Sequence, residues 1–329
     1  MFPSSGGKES SSLQFSILVD SNSALSQNRL SLSESSVFTS SVRASRQFSQ
    51  SDKILATCFF DQPSMYISEI YHSRQGEGFL TGTPSVLVRT SGCNLRCGFC
   101  DTPFASWNPE GKRLTVPEIV QVVRRKTLTA LPPMQRQPGK DSRMNDFSSG
   151  GFDSSQDKNS SSQATQHVIL TGGEPMMQRD IVELCAALHA AKFHITMETA
   201  GTIEHELDCD LMSISPKLSN SDPEAGRAGE WLEKHQQARH RPEVVRQLIQ
   251  RHEYQLKFVV SHPSDLDEIL AYLDVVGDFD PKRVLLMPEG IKQGDLDQRE
   301  QWLTPLCEQH GFKLCRRLHI AWYGNSRRT

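Results

Sequence analysis

Six short apolar runs, rich in β-branched residues and each ending in a polar segment, recur along this 329-residue chain. They are SVLVR (85–89), HVILT (167–171), FHITM (193–197), LMSIS (211–215), YQLKFVV (254–260) and RVLLM (283–287). Runs of this length and composition read as strands. Helical patterns follow most of them. Thr115 and Glu118 make a capping box ahead of IVQVVRRK, and Asp180 with Glu183 repeats it ahead of 181–191. Ser264 with Asp267 opens LDEILAYL, and Asp295 begins a polar helix to His310. Strands alternating with helices dictate an α/β fold of parallel units. Periodicity alone leaves two arrangements, an open doubly wound sheet or a complete or partial barrel.

Two stretches stand outside this alternation. Residues 1–55 are dominated by Ser and read as a disordered extension, because such a segment cannot bury enough surface to offset its ordering entropy. From 56 to 329 the sequence reads as one core domain. It is broken at about 131–166 by an inserted low-complexity loop, which opens LPPMQRQPGKDSR and continues SSGGFDSSQDKNSSSQATQ. The low apolar fraction of 36% is therefore a local deficit.

The polar segments have a common position. The cysteine group follows the first run, TGGEP (171–175) the second, ETAGT (198–202) the third and SPK (215–217) the fourth. SHP (261–263) and MPEG (287–290) follow the last two. In a barrel, the carboxyl ends of strands share the face on which active sites assemble. One site fed by six loops is the economical reading.

Three of the eight cysteines, Cys93, Cys97 and Cys100, fall within eight residues, and the rest are scattered. This distribution argues against a secreted disulfide framework and for the reducing cytoplasm. Cys185, within IVELCAALHAA, reads as a small core hydrophobe. The net charge of −3 offers no basic field for nucleic acid or an anionic membrane. No apolar run approaches the roughly 20 residues that span a bilayer, so a soluble protein is expected. Thiolates are soft ligands for zinc or for iron–sulfur clusters. A structural zinc site closes with four ligands, whereas this segment supplies three. Three thiolates on a four-iron cube leave one iron open to a small molecule.

The spacing CxxxCxxC, with aromatic Phe99 before the last cysteine, resembles the radical S-adenosylmethionine superfamily. That resemblance implies a partial (β/α)6-type, TIM-like barrel and a 4Fe-4S cluster on Cys93, Cys97 and Cys100. The open iron would chelate S-adenosylmethionine, whose reductive cleavage yields a 5′-deoxyadenosyl radical. Gly172-Gly173-Glu174-Pro175 resembles the superfamily's GGEP motif, which contacts the cofactor's methionyl amino group.

The block EIYHSRQGEGFLTGTPSVLVRTSGCNLRCGFCDT (69–102) is similar throughout to the 7-carboxy-7-deazaguanine synthases. The similarity continues through TGGEP, ETAGT and SPK into LHIAWYGNSRR. It implies a carbon–nitrogen lyase of queuosine and deazapurine biosynthesis. That enzyme contracts 6-carboxy-5,6,7,8-tetrahydropterin to 7-carboxy-7-deazaguanine with loss of ammonia, and also uses Mg²⁺. It further implies that Phe99, Cys100, Asp101, Gly173, Ser215, Pro216, Lys217 and Met287, Pro288, Glu289, Gly290 hold the S-adenosylmethionine. Arg74, Gln75, Gly76, Arg89 and Thr171 would meet the substrate, and Thr102 the Mg²⁺. The Arg89 fork suits a carboxylate in a way that lysine would not reproduce. A homodimer and an electron donor such as flavodoxin or ferredoxin complete the expectation. The alternatives are a glycyl-radical-enzyme activase, which shares the cysteine spacing but has no QGEG upstream, and a non-catalytic zinc module.

Four features depart from the family pattern, the first being that the 131–166 insertion is longer than usual. Arg74 stands where an aliphatic residue is usual, and Ala200 where asparagine is common. The chain also runs on through Asn325-Ser-Arg-Arg, where some relatives contact substrate with their terminal carboxylate.

Overall fold

Each of the six apolar runs is a strand, and all six lie side by side. The computed structural model describes residues 62–134 and 165–329. The Ser-rich extension at 1–55 and most of the 131–166 insertion therefore lie outside the described residues.

Strand β1 (Ser64–Arg74) leads into β2 (Pro84–Thr90), and β3 (Lys112–Thr115) returns to pair with β1. Then follow β4 (His167–Gly172), β5 (His194–Thr199), β6 (Leu211–Ile214), β7 (Tyr254–Val260), β8 (Val284–Pro288) and β9 (Lys313–Leu314). Their order in the sheet is β3-β1-β2-β4-β5-β6-β7-β8-β9. β1 is antiparallel to both its neighbours. From β2 to β9 every pairing is parallel. Among the described residues the sheet ends on β3 and β9 without closing, so the architecture is a partial barrel of the expected (β/α)6 type.

Three strands were not expected. In β1, Met65, Ile67, Glu69 and Tyr71 are buried in alternation with less buried neighbours, the period of a half-buried strand. Serines and the inward Glu69 interrupt its apolar run. β3 and β9 are too short to leave a pattern.

The helices cover the outer face of the sheet. α1 (Val116–Lys126) buries Val116, Ile119 and Val123; α2 (Ile181–Ala190) buries Ile181, Leu184, Cys185 and Leu188. After β6 come the short α3 (Ala225–Ala228), α4 (Trp231–Arg239) and α5 (Pro242–Arg251). α6 (Asp265–Val276) joins β7 to β8, α7 (Gln293–His310) joins β8 to β9, and α8 (Leu318–Tyr323) follows. In α1, α2, α5 and α6 the spacing of three and four residues puts the buried apolar side chains on one stripe. Fully burying such a Leu or Ile contributes about 1.5–3 kcal/mol. No helix among the described residues is long and apolar enough to cross a membrane.

The helix starts follow the sequence unevenly. At α1 the capping box forms: Glu118 N–H donates to Thr115 Oγ1 at 3.4 Å, and Thr115 N–H to Glu118 Oε2 at 2.8 Å. At α2 it does not, because the Asp180 carboxylate accepts the Ser64 N–H of β1 at 2.7 Å instead. Ser264 makes no cap bond either. Asp265, the first helical residue, instead accepts the Ser261 and His262 N–H groups of the preceding loop at 2.8 and 3.1 Å. α7 begins at Gln293, ahead of Asp295.

Candidate active site

The carboxyl ends of the parallel strands open on a cavity of about 520 Å³. β2 delivers Arg89 to its wall and continues into the cysteine loop. Cys93, Cys97 and Cys100 are free thiols lining that cavity. Among the described residues, no three His, Cys, Asp or Glu side chains converge on a single-ion position.

The cysteine loop is tied directly to the loop after β4. Gly92 N–H donates to Ala105 O at 2.8 Å, and Glu174 N–H donates to Gly92 O at 2.9 Å. A Cβ on Gly173 would lie 2.1 Å from Gly92 O and 2.5 Å from Ala105 O, so only glycine allows this approach. Glu174 is buried and works as a local brace. Its carboxylate accepts the Thr199 hydroxyl (2.7 Å), the Ala200 N–H (2.7 Å) and the Met176 N–H (3.0 Å). Burial raises its pKa, against those hydrogen bonds.

Burial also pushes the Cys93 and Cys97 thiols up to about 12. Thiolate charge there calls for a positive centre beside it. Opposite the thiols, Lys217 donates to Ser215 O at 2.7 Å and to Ser215 Oγ at 2.6 Å. Burial lowers this lysine, with the Cys97 thiol acting in the other direction.

The lumen side of the cavity is charged and paired. Arg89 Nε donates to Glu69 Oε1 at 2.9 Å, and its terminal amine donates to Tyr71 OH at 3.1 Å. Glu198 accepts Gln75 Nε2 at 3.1 Å and the Thr171 hydroxyl at 3.1 Å. Glu77 lies 2.5 Å from Lys257 Nζ, 3.1 Å from Arg317 Nε and 3.8 Å from His319 Nδ1. Arg317 also pairs with Asp101, next to the last cysteine. Residues after α8 fold over the same mouth. Arg327 donates to Glu69 at 2.9 Å and to Glu110 at 3.0 Å, and stacks 3.6 Å from the Phe104 ring centroid.

The expected site residues mostly meet here. The cavity is lined by Cys93, Cys97, Phe99, Cys100, Asp101, Thr102, Gly173, Ser215, Lys217 and Met287, Pro288, Glu289, Gly290, together with Arg74, Gln75, Gly76, Arg89 and Thr171. Pro216 does not line it and is buried elsewhere. SHP (261–263) is also outside the lining, because Asp265 draws its N–H groups toward α6. Five of the six expected loops contribute, and β7 supplies Lys257 and Val259 from the strand itself.

No known family model matches the chain. It is, however, 40% identical over 272 residues to the 7-carboxy-7-deazaguanine synthase of Rhodopirellula baltica, covering 82% of this chain and 90% of the relative. Identity to that of Halobacterium salinarum is 37% over 281 residues, covering 82% and 94%. The chain belongs to the 7-carboxy-7-deazaguanine synthase family. In fold it resembles QueE from Escherichia coli, with a TM-score of 0.50, 20% identity and coverage of 77% of this chain and 93% of that one.

Within this family member's cavity, sequence reasoning assigned no role to Glu69, Tyr71, Glu77, Glu198, Lys257, Arg317, His319 or Arg327. Lys257 had a signal, a charge in the middle of the apolar run YQLKFVV. Glu77 and Arg317 are 240 positions apart, and no linear pattern joins them.

Proposed function

We propose that this cavity contracts 6-carboxy-5,6,7,8-tetrahydropterin to 7-carboxy-7-deazaguanine with loss of ammonia, feeding queuosine or another deazapurine. The observation that carries this reading is the shared cavity, with three free thiols on one wall and the Arg89–Glu69 pair on another.

Cys93, Cys97 and Cys100 would hold the 4Fe-4S cluster. The donor set fits: three soft thiols face the cavity, and the loop bearing them is fixed to its neighbour. Phe99, Asp101, Gly173, Ser215, Lys217 and the Met287–Gly290 turn would hold S-adenosylmethionine. When bound, cluster and cofactor together supply the radical that removes hydrogen from the substrate. The protein's own residues bind and aim. Arg89, steadied by Glu69, would take the substrate carboxylate through its guanidinium fork. Gln75 and Thr171, both anchored on Glu198, would face the pterin ring. Thr102 lines the cavity, and the hard oxygen of its hydroxyl would suit Mg²⁺. The enzyme would act in the cytoplasm as a homodimer, drawing electrons from a flavodoxin or ferredoxin.

Anaerobic turnover with the carboxytetrahydropterin, S-adenosylmethionine, reductant and Mg²⁺, read by mass spectrometry, tests the proposal. A product with the mass of 7-carboxy-7-deazaguanine is expected. A chain that carries zinc and no iron, or that transfers its radical only to a protein, contradicts it.

A further inference from the structure

Between β6 and β7 the chain leaves the barrel and packs α4 against the cysteine loop. Two α4 side chains one turn apart, Trp231 and His235, both meet Arg96, the residue before Cys97. The Arg96 guanidinium carbon lies 3.8 Å from the Trp231 ring centroid. Its Nη1 donates to Cys93 O and Leu95 O, each at 2.8 Å. The Arg96 backbone N–H donates to His235 Nδ1 at 3.1 Å.

That last bond fixes the tautomer. Nδ1 accepts, so the ring proton sits on Nε2, which donates to Ser221 Oγ at 3.0 Å. Ser221 in turn donates to Leu218 O at 2.6 Å. The imidazole is fully buried, and burial pushes it down to about 4, against the Asp222 carboxylate 3.6 Å from Nε2. The same strap reaches further along the loop. Gly98 N–H donates to Ser221 O at 2.9 Å, and a Cβ there would lie 3.0 Å from Asp222 O. Trp107 Nε1 caps Cys97 O at 3.2 Å.

We infer that α4 is a clamp on the cysteine loop, and that His235 is a positioning residue holding the Cys93–Cys100 backbone ready for its cluster. The inference rests on the reading of these cysteines as cluster ligands. The physical reason is local. Without the imidazole acceptor, the Arg96 N–H is left buried and unpaired, and the loop lowers that cost by opening. An open loop loses iron.

The test follows iron release to a chelator from the anaerobically reconstituted protein, alongside melting of the iron-free protein. His235→Leu should release iron about tenfold faster than wild type. His235→Asn, whose amide oxygen can take the place of Nδ1, should stay within about twofold. His235→Gln, whose amide reaches toward Ser221 instead, should resemble the Leu variant while melting close to the Asn variant. Wild-type release from His235→Leu, or equal release from the Asn and Gln variants, overturns the clamp. Should His235→Leu not fold, Trp231→Leu carries the comparison. Its release should be about threefold faster, and a wild-type rate overturns the clamp. A wild-type chain that takes up no iron overturns the cluster reading, and the clamp with it.

Discussion

Lys257, in the middle of β7, places its ammonium 2.5 Å from a Glu77 carboxylate oxygen inside the barrel. Glu198 lies 4.0 Å from the same nitrogen. Burial alone would lower the lysine and raise the glutamate. The pairing outweighs it, so Lys257 is held above its ordinary range and Glu77 below. One buried cation thus fixes the segment that carries Gln75 and Glu77 to the strand opposite.

Lys257→Met should leave Glu77 with only Arg317 and His319 as partners. Breaking a buried pair by removing one partner is costly, and a loss of about 3 kcal/mol in denaturant unfolding is expected. A loss below about 0.5 kcal/mol, the range of ordinary surface changes, would show that the pair carries no weight.

Arg89→Lys keeps the charge but removes the fork that bonds Glu69 and Tyr71. Losing a charge-assisted bidentate contact should lower kcat/KM for the pterin about 10–100-fold. Cleavage of S-adenosylmethionine without pterin should change less than about threefold. Equal losses in both assays would remove Arg89 from substrate recognition.

His167, at the start of β4, bonds Ser85 Oγ at 2.7 Å and Thr196 Oγ1 at 2.8 Å. Burial, with the nearby His194 adding to it and Asp210 opposing, pushes it down from 6.5 to about 4. The unfolded chain therefore takes up this proton as pH falls through 6.5, while the folded chain resists until about 4. Its stabilisation is complete above that window and is lost on acidification across it, by at most about 3 kcal/mol. His167→Gln should be less stable at neutral pH and should flatten the acid limb of the stability curve. An unchanged slope between pH 6.5 and 4 would contradict the assignment.

The six parallel strands could be located from sequence because each keeps a short, mostly apolar, β-branched run bounded by polar turn segments. β1 escaped for the opposite reason: Glu69 turns inward to hold Arg89, so function interrupts the apolar pattern there. The choice between sheet and barrel needed strand pairing, which periodicity does not carry. The cysteines, Arg89 and the GGEP loop were legible because their chemistry needs those residue types close together in the chain. The charged lumen was not. Glu77 with Arg317 and Glu69 with Arg327 are pairs made only by folding. His235 was equally hidden, since it is the one buried residue of the polar stretch WLEKHQQAR and its partner Arg96 lies 139 positions away.

The three-cysteine loop is proposed as the place where S-adenosylmethionine is cleaved. The direct measurement is 5′-deoxyadenosine formed per chain under anaerobic reduction, in wild type and in Cys97→Ala. The wild-type chain should form it, and the variant none, with an unchanged far-UV circular dichroism spectrum. A folded Cys97→Ala chain that forms 5′-deoxyadenosine at the wild-type rate would contradict a cluster on these cysteines.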